Sequence, residues 1–245
     1  MSDAPVRKRR FIETRATVVE KIRETPDTHS LRLALEQRFE FLPGQFCMAK
    51  ADVDGRLIPR AYSISSSPTK ADYIQLTVRQ TPEPTVSKWM NDRQVGDTFL
   101  IRGPYGEFHW TPDATDTVFM IGGGSGITPL HAILEYVHDK GLTTPVTLLY
   151  SATTARDIIL GDRLRALAEA TPSASLHITL TREPEGSDWQ GARGRLSDEA
   201  LGGFLPGFRD GGFFLFGAPP FVKAMRETLE RLGIDAGQIQ QERWS

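Results

Sequence analysis

The sequence predicts two domains: an N-terminal antiparallel β-barrel and a C-terminal α/β domain built on a parallel sheet. Three observations predict this. Short, partly alternating apolar runs fill the first half. Runs that are apolar throughout alternate with helical patterns in the second half. The change falls at residues 108–114, where Thr111-Pro112-Asp113 interrupts the chain, so the domains are read as 1–110 and 111–245.

In the first domain Thr17–Ile22, Ser30–Leu35, Gln45–Lys50, Tyr73–Gln80 and Thr98–Arg102 read as strands. Leu42-Pro43-Gly44 and Asp52-Val53-Asp54-Gly55 supply turns between them. Ile74, Leu76 and the β-branched pair Thr77-Val78 give the fourth run strong strand character. Five or six such strands in about a hundred residues fit a small barrel. A short helix over Thr85–Met90 interrupts them.

In the second domain Thr117–Ile121 is an apolar strand, followed by glycines and a helix. Leu130, Ile133, Leu134 and Val137 fall at i, i+3, i+4 and i+7, and Gly141 stops that helix. Val146–Tyr150 predicts a strand, Asp157–Ala170 a helix and Leu176–Leu180 a strand. Phe213–Phe216 leads into a helix with Phe221, Val222, Met225, Leu229 and Leu232 on its apolar stripe, and Gln238–Glu242 closes the set as a strand.

Composition limits the chemistry. At 39% hydrophobic and 24% charged the chain is neither disordered nor fibrous. A net charge of -2 argues against a nucleic-acid binder; the basic run Arg7-Lys8-Arg9-Arg10 reads as a solvated terminus. One cysteine, Cys47, precludes an internal disulfide, a thiolate zinc site and a Cys-ligated iron–sulfur cluster within these residues. Redox chemistry therefore requires an organic cofactor, and the expected compartment is the reducing cytoplasm. No run approaches the roughly 20 apolar residues of a membrane span, and Met1–Pro5 lacks a leader's apolar core, so a soluble protein without a membrane partner is expected. The five histidines show no metal-ligand spacing and no metal site is expected; His131 and His138, seven apart, read as solvated or capped. Ser125 has no evident His–Asp partners, which disfavours hydrolase chemistry.

Two segments carry chemistry. Gly122-Gly123-Gly124-Ser125-Gly126-Ile127-Thr128-Pro129 joins the first parallel strand to a helix, where backbone N–H groups and the helix end favour a phosphate. It matches neither the Rossmann fingerprint nor the Walker A loop, and on residues alone a packing role stays open. Arg60-Ala61-Tyr62-Ser63 places a cation, a flat aromatic and a hydroxyl on one strand, with Ser63 facing away from Arg60 and Tyr62.

In this order the two segments resemble the ferredoxin–NADP reductase superfamily, flavoproteins with an FAD-binding barrel and a pyridine-nucleotide domain. The resemblance runs from about residue 15 to the C-terminus. Pro43-Gly44-Gln45-Phe46, Gly103–Phe108, Gly194-Arg195-Leu196 and the stretch from Phe216 to Glu242 agree with it. It implies that Arg60 pairs with the FAD pyrophosphate, with Ala61 beside it. Tyr62 would stack on the isoalloxazine and Ser63 would lie near flavin N5. Thr77, Val78 and Arg79 belong to the FAD site on the same grounds. Thr85, Val86 and Ser87 would offer donors to the pyrophosphate, although Pro82-Glu83-Pro84 departs from the glycine usual there. Helix capping is the plain alternative for Thr85 and Ser87.

The resemblance assigns Gly122, Gly123, Gly124, Ser125 and Gly126 to the dinucleotide, with Thr128 reaching toward the flavin–nicotinamide junction. Ser151 and Thr153 would lie near the adenosine end. Arg182 matches a phosphate-binding position, which favours NADPH over NADH. Gly217, Ala218 and Pro219 are assigned to the nicotinamide side, and Phe216-Gly217-Ala218 stands where many relatives have Cys-Gly-Pro, so no thiol is available beside the nicotinamide. Glu242 would assist protonation near N5 and Trp244 would cover the flavin face, with a peripheral anchor as the equal alternative for the tryptophan. The implied activity is an NAD(P)H oxidoreductase passing electrons through FAD to a separate one-electron acceptor: a ferredoxin, a flavodoxin or an oxygenase component. The alternatives are a reductase of free flavin and a non-catalytic nucleotide-binding regulatory subunit. A monomer is the default assembly.

Overall fold

The computed structural model describes residues 11–82 and 85–242. The first sheet contains β1 (Ile12–Thr25), β2 (Thr28–Leu35), β3 (Phe46–Val53), β4 (Arg56–Ser63), β5 (Ile74–Arg79) and β6 (Thr98–Tyr105), with α1 (Val86–Asp92) between β5 and β6. Every pairing is antiparallel, in the order β4-β3-β6-β1-β2-β5. The two outer strands meet where Ile64 bridges Leu76 and the Ser65 N–H donates to Gln75 O at 2.8 Å, which curls the sheet into a barrel. Alternate residues point inward: Ala16 and Val18, Leu31 and Leu33, Cys47 and Ala49, Leu76 and Val78 share one buried core.

Several strands exceed their predicted lengths, β1 most of all. β1 extends far beyond Thr17–Ile22 at both ends, because its first part, Ile12–Thr17, pairs with β6 while Ala16–Thr25 pairs with β2. The β1–β2 turn is stapled by Asp27, whose carboxylate accepts from Thr25 Oγ1 (2.8 Å), Thr28 Oγ1 (2.9 Å) and Arg79 Nε (2.9 Å). Burial alone would raise the Asp27 pKa, but these donors outweigh it and hold the carboxyl below its ordinary value.

The second sheet is parallel, in the order β10-β9-β8-β7-β11-β12: β7 (Val118–Gly123), β8 (Val146–Ala152), β9 (Ala174–Leu180), β10 (Ala192–Arg193), β11 (Gly212–Phe216) and β12 (Ile239–Gln241). Val118 and Met120 point to the face covered by α2 (Ile127–Asp139) and α3 (Gly161–Ala170). Phe119 and Ile121 point to the face covered by α4 (Asp198–Phe204) and α5 (Pro219–Arg231). Apolar runs without alternation are thus explained by burial on both faces. Gly141, at φ +60°, ends α2 as expected, with its N–H donating to His138 O.

Three features differ from the sequence reading. The helix expected over Asp157–Ala170 begins only at Gly161, because Leu160 sits in the left-handed region at φ 57°. Ile159 and Leu160 are buried there, and the Tyr150 hydroxyl accepts the Ile159 N–H at 3.1 Å. The strand expected from Leu176 starts at Ala174, and β10 and α4 were not foreseen. His131 is not solvated; it is fully buried, with Nδ1 2.7 Å from the Ser65 carbonyl of the barrel.

Candidate functional site

The order of the second sheet reverses at β7: the chain moves to β8, β9 and β10 on one side and returns to β11 on the other. Such reversals open a crevice at the carboxyl ends of the strands. Here the crevice faces the barrel, and together they bound a cleft of about 700 Å³. The barrel contributes Ala61, Tyr62 and Ser63 from β4 and Thr77 and Arg79 from β5. The second domain contributes the turn Gly123–Gly126, Thr128, Ser151, Thr153, Arg182, Gly217 and Ala218.

The glycines of the turn have different jobs. A Cβ at Gly126 would lie 2.3 Å from the Phe216 carbonyl oxygen, and one at Gly123 would lie 2.8 Å from the Phe221 ring. Gly217 meets the same ring at 2.8 Å, and Gly122 backs onto Leu130 at 3.0 Å. These four permit backbone to pack against its neighbours. Gly124 is the one that opens outward: at φ +55° its nearest neighbour is Arg79 Nη1, 3.7 Å away. The packing reading of the glycine run therefore holds at Gly122, Gly123 and Gly126, and Gly124 is left open to the cleft.

Alternation divides the predicted barrel residues. Thr77 and Arg79 line the cleft, whereas Val78 points into the barrel core. Arg79 is held at the cleft by Asp27. Tyr62 is half-buried, and burial pushes its phenol up to about 12 against a weaker downward pull from Arg60. Cys47, its cross-strand neighbour, is fully buried with its thiol also pushed up to about 12, and it packs as a small apolar residue of the barrel core. Arg60 is exposed beside the lining residue Ala61, and its guanidinium donates to the Pro59 carbonyl at 3.0 Å.

Other predicted residues stand apart from the cleft lining. Gly122 is buried, and Pro219 opens α5 behind Ala218. Thr85 makes no side-chain capping bond, and Val86 packs in the barrel core. Ser87 does not cap α1 in the ordinary way; its Oγ accepts the Thr81 N–H at 3.1 Å. The capping alternative is thereby corrected. Glu242 lines a separate cavity of about 360 Å³ with His109, Gln241 and Arg226. Burial raises its pKa, partly offset by the Phe108 N–H, while its Oε2 has no partner among the described residues. Trp244 and the Glu83-Pro84 pair lie outside the described residues.

Sequence reasoning missed Asp157, Thr181 and Phe221 in the lining. Asp157 Oδ2 is engaged by the Thr154 N–H (2.9 Å) and hydroxyl (2.7 Å), a capping box visible in Thr154-Ala155-Arg156-Asp157. Phe221 was assigned only to a helix stripe. Its contact with two glycines from different loops is a tertiary fact with no local signal.

Comparison with known proteins gives this geometry a lineage. Residues 15–110 match the oxidoreductase FAD-binding domain and residues 120–227 the oxidoreductase NAD-binding domain. The glycine betaine monooxygenase reductase subunit of Chromohalobacter salexigens is 33% identical over 91% of this chain and 62% of its own length. This chain thus spans less than two thirds of that relative. NADH-cytochrome b5 reductase 1 of Mortierella alpina is 30% identical over 89% of this chain and 74% of its own. The Amycolatopsis cytochrome P450 reductase GcoB superposes with a TM-score of 0.85 at 26% identity, covering 99% of this chain and 73% of that one. An FAD-binding barrel joined to an NAD-binding α/β domain defines a flavoprotein oxidoreductase. The chain belongs to the ferredoxin–NADP reductase superfamily.

Two measurements check the local physics. Gly126→Ala should destabilise the fold by about 3 kcal/mol through its backbone clash, and Gly124→Ala by only about 1 kcal/mol through φ strain, in denaturant titrations. The Tyr62 phenol titrates higher folded than unfolded, where its value is 10.0. Its contribution to stability is therefore complete below pH 10 and lost as pH rises through 12, and Tyr62→Phe should flatten that alkaline fall in melting temperature.

Proposed function

We propose that this chain takes hydride from NAD(P)H onto FAD and passes the electrons singly to a separate acceptor protein. The observation that carries the reading is the shared cleft: the barrel motif Ala61-Tyr62-Ser63 and the glycine turn Gly123–Gly126 line one cavity. Bound flavin would supply the conversion of a two-electron donor into one-electron deliveries. The protein's part is to hold two flat rings in register and exclude water between them. Tyr62 offers a flat face, and Ser63 a hydroxyl able to hold a hydrogen bond at N5. Arg60, whose guanidinium is engaged among the described residues by the Pro59 carbonyl, is available to swing onto the FAD pyrophosphate.

The open face of Gly124, flanked by Arg79, suits the dinucleotide pyrophosphate. Ser151, Thr153 and Arg182 fall on the adenosine side of that turn, while Phe216 and Ala218 shape the nicotinamide side without a thiol. Glu242 sits in the neighbouring cavity, so we assign it no direct proton transfer in this arrangement. The names of the relatives, a monooxygenase reductase subunit and a cytochrome b5 reductase, support a protein acceptor. With one cysteine these residues hold no iron–sulfur relay of their own, which again places the acceptor outside the two domains. No helix among the described residues is long and apolar enough to cross a membrane. We further propose a monomer.

Anaerobic titration with NADH and with NADPH tests the reading directly. Either nucleotide should bleach the flavin absorption, and failure of both sinks the proposal. In Ser63→Ala, flavin reduction should slow by about 10–100-fold while FAD content is retained; an unchanged rate removes Ser63 from the mechanism. Arg182→Ala should raise the KM for NADPH about tenfold, the loss of one charge-assisted contact, and leave NADH within about twofold. An equal effect on both nucleotides would deny Arg182 a 2′-phosphate.

A further inference from the structure

Three acidic or basic side chains on one face of α2 are unused by the reading above: His131, Glu135 and Asp139, at i, i+4 and i+8. They face the barrel segment that follows β4, and each takes the next grip along it. The His131 Nδ1–H donates to the Ser65 carbonyl at 2.7 Å. Glu135 Oε2 accepts the Ser67 N–H at 2.7 Å. Asp139 accepts from the Thr69 hydroxyl, and Lys70 Nζ lies 2.8 Å from it. Steps of four along the helix thus match steps of two along the loop that follows β4, as a zipper does.

The chemistry makes this register specific. A carbonyl only accepts, so His131 carries its proton on Nδ1, and its buried Nε2 has no partner among the described residues. Burial lowers the pKa of the ring below the ordinary histidine value. Glu135 has a side chain 3% exposed, with its charge answered by Arg163 of α3 at 2.7 Å and by Lys70 at 3.6 Å. A slip of one residue along Ser65–Lys70 would replace carbonyl by amide opposite His131 and strand a buried carboxylate.

At its His131–Ser65 end the zipper lies beside the proposed chemistry on both sides. Ser63 precedes the first grip on the barrel side by two residues, and Thr128 precedes His131 by one helical turn. We infer that the His131–Glu135–Asp139 zipper is a positioning device that fixes the distance and angle between the nicotinamide and flavin sites. The inference rests on the proposed hydride transfer; its structural half does not.

FAD-loaded His131→Leu and Glu135→Gln proteins test it, with Lys70→Ala as a part-exposed third variant that leaves no buried charge unanswered but Glu135's partial one. FAD content and dinucleotide Kd should stay within about twofold of wild type, since neither binding surface is touched. Flavin reduction at saturating nucleotide should fall by about tenfold or more, and the long-wavelength charge-transfer band between reduced flavin and oxidised nucleotide should weaken, both from lost ring alignment. Independently of turnover, amide exchange at Ser67 should accelerate and small-angle scattering should show a wider domain arrangement. Wild-type reduction rates and charge-transfer bands in soluble, folded variants would overturn the inference, even if melting temperature falls. So would unchanged exchange and scattering. If wild-type protein is reduced by neither nucleotide, the proposed function fails, and exchange and scattering still decide whether the zipper fixes the domains.

Discussion

Everything at the cleft depends on a backbone approach that only glycine permits. At the carboxyl ends of β7 and β11, the chain at Gly126 passes so close to the Phe216 carbonyl that a single methyl would sit 2.3 Å from it. That contact lets two adjacent parallel strands end in one compact floor. Phe221 fills the remaining gap against Gly123 and Gly217. With the floor fixed, α2 leaves in one direction only, and its face meets the barrel where β4 ends.

Much of this was legible in the sequence, for physical reasons. Alternation in β3 and its absence in β7 and β11 follow directly from burial on one face or on two. The order of Arg60–Ser63 and Gly122–Pro129 was readable because each is a local run whose residue types are unusual together. The match of both halves to FAD- and NAD-binding oxidoreductase domains bears out the family read from them.

What was not legible is tertiary. The left-handed Leu160 is imposed by burial of its neighbours and by the Tyr150 hydroxyl, which takes the N–H of Ile159 nine residues on. His131 looked like a surface residue because its partner, the Ser65 carbonyl, lies 66 positions away. Val78 was counted with Thr77 and Arg79 as one segment, although strand pleating sends it the opposite way. Thr85 looked like a helix cap, yet its side chain makes no capping bond, and Ser87 instead accepts the Thr81 N–H of the preceding loop. Each error has the same form: a residue read by its neighbours in sequence was decided by its neighbours in space.

The buried cysteine has a practical meaning for anyone measuring this molecule. Cys47 is sealed in the barrel wall, paired across from Tyr62, and its thiol is held in the unreactive protonated form. A native chain with no accessible thiol is a blank background for chemical labelling. One cysteine placed on the outer face of each domain would accept a spin label or fluorophore without removing Cys47, so motion between barrel and nucleotide domain becomes an observable distance in otherwise unaltered protein.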